Sequence, residues 1–321
     1  MIYPVTRQPV HLSTPESVAC TAAGHCILAG TVDGSYQSAA LVTADGGTSW
    51  HPASRWLAQT PASPSPEAPV VMNCPTVTRC VAIADYVTLP GGVELVGDDG
   101  GSSWRVVPVA EAVTGLVAVT CAGAARCLAL STDTVHKGID LGSFVLRLVG
   151  TLGTASWRVA AHLPLAWRVQ GITCTSPKRC LIAAVDATAS APNWRGRILE
   201  SSDGSAHWRL LARSPDNYQA LDAISCPTPV TCVGVGSGPP SNGAGIVSSA
   251  GAHGSWIARV IPRDIGNLYA IACTSPEHCV AVGTRRGSPA ALDTLDDGRS
   301  WSASKLPAFV LANASRIDAS F

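Results

Sequence analysis

Residues Ile224 to Gly236 read ISCPTPVTCVGVG: an apolar strand ending in Cys226, a Pro/Thr turn, then Cys232 and a second apolar strand. This text describes a β-hairpin with a cysteine on each side of its turn. It recurs as MNCPTVTRCVAIAD from Met72, ITCTSPKRCLIAA from Ile172 and IACTSPEHCVAVG from Ile271. All twelve cysteines obey it, in pairs with five residues between: Cys20/Cys26, Cys74/Cys80, Cys121/Cys127, Cys174/Cys180, Cys226/Cys232 and Cys273/Cys279. Successive first cysteines lie 54, 47, 53, 52 and 47 residues apart, and a fixed period near 50 residues is the signature of a repeat architecture. The chain is one array from end to end.

Across the ladder of such a hairpin the two cysteines face each other at a separation a disulfide accepts. Structural zinc sites usually space their cysteines two to four apart and join two pairs. Disulfides are therefore favoured over zinc, and zinc over free thiols. Each bridge closes a seven-residue loop, which stabilises by about 2.4 kcal/mol in the chain-entropy picture. The bridges staple single repeats and do not tie repeats together.

A tryptophan follows each cysteine pair, at Trp50, Trp104, Trp157, Trp208, Trp256 and Trp301, after the segments TADGGTSW, GDDGGSSW, GTLGTASW, SSDGSAHW, SAGAHGSW and TLDDGRSW. Four of them carry an aspartate, Asp45, Asp99, Asp203 and Asp296; the third and fifth do not. The aspartate suits a tight turn, accepting from backbone amides, with glycines supplying positive φ. The tryptophan then starts the next strand and buries a large surface between sheets. A catalytic carboxylate is needed once, not four times around a ring, so these segments read as scaffolding.

The segments resemble bacterial-neuraminidase repeats, the Asp-boxes of sialidases and many other β-propellers. With a cysteine pair in every repeat, the pattern is similar to secreted propellers of actinobacteria. Families sharing the box include glycosidases, sorting receptors, assembly factors and binding modules, so the resemblance implies a fold more than an activity. Each repeat supplies four strands, such as SVAC, CILAGT, SAALVTA and SWHPA in the first. The expectation is an all-β, six-bladed propeller forming one domain over 1–321. Its blades fall at about 16–56, 70–108, 115–164, 168–213, 220–262 and 268–307, and ring closure borrows no strand from the other terminus.

Composition narrows the partners. Basic and acidic residues balance at 22 each, so no net field draws the chain to nucleic acid. No apolar run reaches the roughly 18 to 20 residues that cross a bilayer. Disulfides at this density imply an oxidising compartment. The reading is a secreted or cell-surface monomer whose signal or anchor lies outside this sequence, with fusion or anchoring to a membrane protein compatible with it. The eight histidines form no His-Glu-x-x-His pattern and no phosphate-cradling glycine loop is present, so neither metal nor cofactor is expected.

In a propeller the first-to-second and third-to-fourth strand turns share one face, here the cysteine turns and the boxes. The opposite face carries the second-to-third loops and the links between blades, which are irregular, as binding loops tend to be. Three tryptophans outside the boxes lie there, each beside an arginine: Arg55 with Trp56, Trp167 with Arg168, and Trp194 with Arg195. Such pairs are common at binding hot spots; the bland reading is that Trp56 and Trp167 cap gaps between blades. Tyr36, Tyr86, Tyr218, Arg285 and Arg286 occupy comparable positions.

A sialidase-type site needs three arginines, a tyrosine paired with a glutamate, and an aspartate acid/base. That set does not assemble: no glutamate among Glu16, Glu67, Glu94, Glu111, Glu200 and Glu277 stands in a recognisable motif, and Asp33, Asp133 and Asp186 are loop carboxylates. The reading is a non-catalytic propeller that binds a protein or glycan through its irregular face. The alternative is a glycoside hydrolase or lyase with a site at the channel mouth.

Overall fold

The computed structural model describes residues 12–22, 24–32, 38–53, 71–85, 92–101, 104–108, 115–123, 125–132, 142–153, 156–164, 167–186, 195–213, 220–237, 244–249, 256–259, 261–262, 264–296 and 299–306. Six antiparallel sheets, each of four consecutive strands in chain order, account for the regular structure. The first holds β1 (Leu12–Ala22), β2 (His25–Val32), β3 (Ser38–Thr43) and β4 (His51–Pro52), and the second β5 (Val71–Asn73), β6 (Cys80–Asp85), β7 (Gly92–Gly97) and β8 (Arg105–Pro108). The third is β9 (Leu116–Cys121), β10 (Cys127–Thr132), β11 (Ser143–Val149) and β12 (Ser156–Leu163). The fourth is β13 (Trp167–Cys174), β14 (Cys180–Asp186), β15 (Arg195–Ser201) and β16 (Arg209–Arg213). Strands β17 (Ala220–Ser225), β18 (Val233–Ser237), β19 (Ala244–Ser249) and β20 (Trp256–Ala258) form the fifth, and β21 (Ile265–Cys273), β22 (Cys279–Arg285), β23 (Ser288–Thr294) and β24 (Ser302–Lys305) the sixth.

The first strands of successive sheets touch one another in order, and β21 touches β1. The molecule is thus a closed six-bladed β-propeller. Blades one and six each own four strands, so no strand is shared at the seam. Strand β1 starts at Leu12, earlier than the sequence pattern suggests, because Leu12 pairs with Val32 and is buried in the core.

Second strands such as CLIAAVD, Cys180–Asp186, are apolar up to their last residue because both faces are covered by neighbouring blades. Within one strand, neighbouring residues serve opposite interfaces: Ile182 and Leu199 pack toward the third blade, Leu181 and Ile198 toward the fifth. The core is therefore a ring of inter-blade layers.

All six predicted disulfides are present and no cysteine is free. Cys20 and Cys26 are direct cross-strand partners, as are Cys121 and Cys127, Cys174 and Cys180, and Cys273 and Cys279.

The aspartate turns join the same end of the molecule. In the first, Asp45 accepts from Ser49 N at 2.9 Å, Ser49 Oγ at 2.6 Å and Thr43 Oγ1 at 2.7 Å. Asp296 repeats this with Ser300 N at 2.8 Å, Ser300 Oγ at 2.6 Å and Thr294 Oγ1 at 2.9 Å. Asp203 accepts from Ala206 N and His207 N, both at 3.1 Å. Backbone bonds tie three of the turns to the disulfide turn of their own blade: Gly46 N to Gly24 O, Gly100 N to Thr78 O and Gly204 N to Lys178 O. At Gly101, φ is +85° and a Cβ would collide with Ile27 of the preceding blade, so only glycine fits.

A second stitch lies just before the second cysteine of the repeat, where basic residues recur. Arg79 donates to Leu152 O of the next blade at 2.9 Å, Arg179 reaches Pro229 O of the next blade, and the His278 Nε2 of blade six lies 3.4 Å from Gly46 O of blade one. The last of these spans the seam of the ring.

Candidate functional site

The irregular face is best described on the fourth blade. Trp167 opens β13, Asp186 closes β14 and Arg195 opens β15, and the ladder sets Trp167 and Arg195 directly on either side of Asp186. Arg168, next along β13, is exposed, as is Arg195. Beneath this edge Arg197, 7% exposed, donates to Asp186 Oδ2 at 2.5 Å. The pairing holds the carboxylate in place and makes the edge a rigid base. Trp167 is partly buried against the layer between blades three and four, so it serves as a wedge between blades while standing beside the arginines.

On the sixth blade Arg285 closes β22 and Arg286 follows in the β22–β23 turn, with φ at 51°. Both guanidinium groups address Asp264, from Nε at 2.9 Å and 3.2 Å. The hydrogen bond from Arg285, with the charge of both arginines, holds the Asp264 carboxyl below its usual range. These two arginines brace the link into their own blade, and the fifth blade separates them from Arg168 and Arg195. Arg55, Trp56, Tyr36, Tyr86, Trp194 and Tyr218, with Asp33 and Asp133, lie outside the described residues.

The axis of the ring holds a cavity of about 150 Å³ lined by the first strands of all six blades. Its wall is set by a device the sequence pattern does not reveal. In five first strands the ladder skips one residue, four positions before the first cysteine: Glu16, Val117, Gln170, Asp222 and Tyr269. A bulge of this kind re-aims a side chain, and all five line the cavity. On the second strands Gly30, Gly236 and Gly283 lie opposite the bulges of blades one, five and six, where a Cβ would strike the backbone of the first strand. Four of the five bulge residues, Glu16, Gln170, Asp222 and Tyr269, carry a polar group at this fixed offset, whereas Val117 is apolar.

Among the described residues, Glu16 and Asp222 are the only charged ones in that wall. Burial pushes the Asp222 carboxyl up to about 6. None of Arg168, Arg195, Arg285 and Arg286 lines the cavity, so the arginines do not converge there with the carboxylates and the tyrosine.

No protein-family model and no curated protein sequence matches the chain. Solved structures do. The structure of YCF48 bound to D1 peptide superposes with a TM-score of 0.53 at 14% identity, covering 95% of this chain and 87% of that one. The Hadza microbial sialidase Hz136 gives 0.59 at 10% identity, covering 93% of this chain and 66% of its own. A Niastella koreensis GH74 enzyme gives 0.50 at 12%, covering 89% and 46%. At such identities the likeness is one of fold, a β-propeller whose structural relatives include a peptide-bound protein and enzymes.

Proposed function

We propose that the chain is a single propeller domain that binds a protein or glycan through its irregular face and carries out no catalysis. The observation that carries this reading is the edge of blade four, where Arg168 and Arg195 stand exposed beside Trp167 over the Asp186–Arg197 pair. An arginine pair with an aromatic neighbour on a rigid sheet end is the composition of a recognition hot spot. The D1 peptide bound to YCF48 supports a protein ligand, and the opposite face is consumed by disulfide turns and aspartate turns, which we read as Asp-boxes. Six disulfides suit an oxidising, extracytoplasmic setting, and we place the protein outside the cytoplasm, secreted or at the cell surface. Among the described residues no helix is long and apolar enough to cross a membrane.

The test compares wild type with Arg168→Glu/Arg195→Glu on an array of glycans and against candidate extracellular proteins. Loss of a bound ligand with an unchanged melting temperature is expected. Retention of every ligand by the double variant sinks the blade-four site, and turnover of a glycoside substrate by wild type would move the reading to the hydrolase alternative.

A further inference from the structure

The axial cavity contains an unmatched charge. Asp222 projects from the bulge of β17 into it, and among the described residues it has neither a hydrogen bond nor an ion pair. Its raised pKa has burial as the sole cause. Asp222 is half-buried, and a carboxylate partly withdrawn from water without a partner is disfavoured in its charged form. Among the described residues no lysine, arginine or histidine lines the cavity to supply the missing charge.

Ring order places useful neighbours on both sides. Going round from β13 to β1, the bulges present Gln170, Asp222, Tyr269 and Glu16 on four consecutive blades. The Glu16 and Asp222 carboxylates, the Tyr269 hydroxyl and the Gln170 carbonyl are all acceptors. A metal is a poor match, because no three His, Cys, Asp or Glu side chains gather among the described residues. An ammonium group is a good one: it is a compact point charge with three donors. The size agrees too, since a cavity of about 150 Å³ takes a molecule the size of benzene, and a butylammonium group is of similar size.

We infer that the central cavity is a binding site for an alkylammonium group, paired to Asp222 and surrounded by acceptors from the neighbouring bulges. A free amine and a lysine side chain offered by a partner protein share this chemistry. The site is independent of the blade-four edge, so either can fail alone.

The experiment is calorimetric titration of the full chain with butylammonium chloride, with 1-butanol as the uncharged analogue and acetyl-Gly-Lys-Gly-amide as the peptide arm. At pH 7.5 butylammonium binds and 1-butanol does not. The titratable groups of the wall are Asp222, Glu16 and Tyr269; protonating Asp222 at pH 4.5 weakens binding at least tenfold, and Asp222→Asn does the same at pH 7.5. Binding of the peptide as well assigns the site to protein-borne lysine, and its failure assigns it to free amines. Equal binding of 1-butanol, or an Asp222→Asn affinity equal to wild type, overturns the inference. A carboxyl carbon-13 titration of wild type needs no variant: saturating butylammonium lowers the Asp222 pKa, and an unmoved pKa also overturns it.

Discussion

Glu94 on the second blade accepts a hydrogen bond from the indole Nε1 of Trp157 on the third, at 3.3 Å, while its other oxygen accepts from Gly153 N at 2.9 Å. Three other tryptophans of this kind stay within their own turn: Trp50 donates to Gly47 O at 3.0 Å, Trp104 to Gly101 O at 2.9 Å and Trp208 to Ser205 O at 3.2 Å. The third turn has no aspartate to organise it, and the neighbouring blade supplies the carboxylate instead. Arg79 on the same neighbour holds Leu152 O of that turn.

Glu94 is 1% exposed, and burial raises its pKa despite these two donors and the nearby Arg105 and Arg79. Replacing it with alanine leaves two buried donors unpaired, at about 1–3 kcal/mol each. Glu94→Ala is expected to lower stability by about 2–6 kcal/mol in urea unfolding. A loss below about 0.5 kcal/mol, within the range of an ordinary surface change, would show that the third turn stands without its neighbour.

The contrast between the third turn and the others marks what the sequence can reveal. Periods repeat within a blade, so the cysteine pairs, the Asp45-type turns and the tryptophans announce six four-stranded sheets and their disulfides. Apart from the basic residue that recurs before the second cysteine, contacts that cross from blade to blade do not all repeat as text: Glu94 sits mid-strand in GVELVG, and nothing local says that it caps a turn of the next blade. The bulges are hidden for another reason, since alternation patterns assume an unbroken ladder, and one skipped residue moves Asp222 and Tyr269 into the channel. At the candidate site, Arg168, Arg195, Arg285 and Arg286 stand at strand ends or in a turn remote from the disulfides of their blades. Spacing does not tell that Arg285 and Arg286 both meet Asp264, because that carboxylate comes from a distant segment of the chain.

The disulfides give a direct chemical prediction. Unreduced protein unfolded in guanidinium should show close to none of its twelve cysteines reacting with Ellman's reagent, and close to all after reduction. Reduction should also lower the melting temperature, because the six clips no longer restrict the unfolded chain. Near-complete reactivity before reduction contradicts the fold's covalent framework.

The aspartate turns predict acid sensitivity. Hydrogen bonds from Ser49 to Asp45, and from Ser300 to Asp296, depress both carboxyls to about 2, and bonds from His207 lower Asp203 as well. A folded-state pKa below the unfolded value contributes stability that is complete above the ordinary carboxylate range and is lost as pH falls from about 4 toward 2. The triple variant Asp45→Asn/Asp203→Asn/Asp296→Asn should therefore melt lower than wild type at pH 6 and lose less between pH 4 and 2. Parallel melting curves for the two proteins across that interval would remove the turns as the source of acid sensitivity.

Asp222 predicts the opposite slope at higher pH. Its folded pKa is raised from 3.8 to about 6, so between those values the folded state binds more protons than the unfolded one and stability falls as pH rises. Two units at about 1.4 kcal/mol each amount to about 3 kcal/mol, present at pH 4 and absent above about pH 6. Asn in its place is uncharged and similar in shape, so Asp222→Asn should match wild type near pH 4 and exceed it by up to about 3 kcal/mol at pH 7.5. The same substitution that stabilises the propeller removes the proposed partner of an ammonium ligand, a trade expected where a partly desolvated charge is kept for binding. Saturating butylammonium at pH 7.5 should accordingly raise the melting temperature of wild type and leave that of Asp222→Asn unchanged. If Asp222→Asn is instead less stable at pH 7.5, the carboxylate is a structural acceptor and its burial has nothing to do with a ligand.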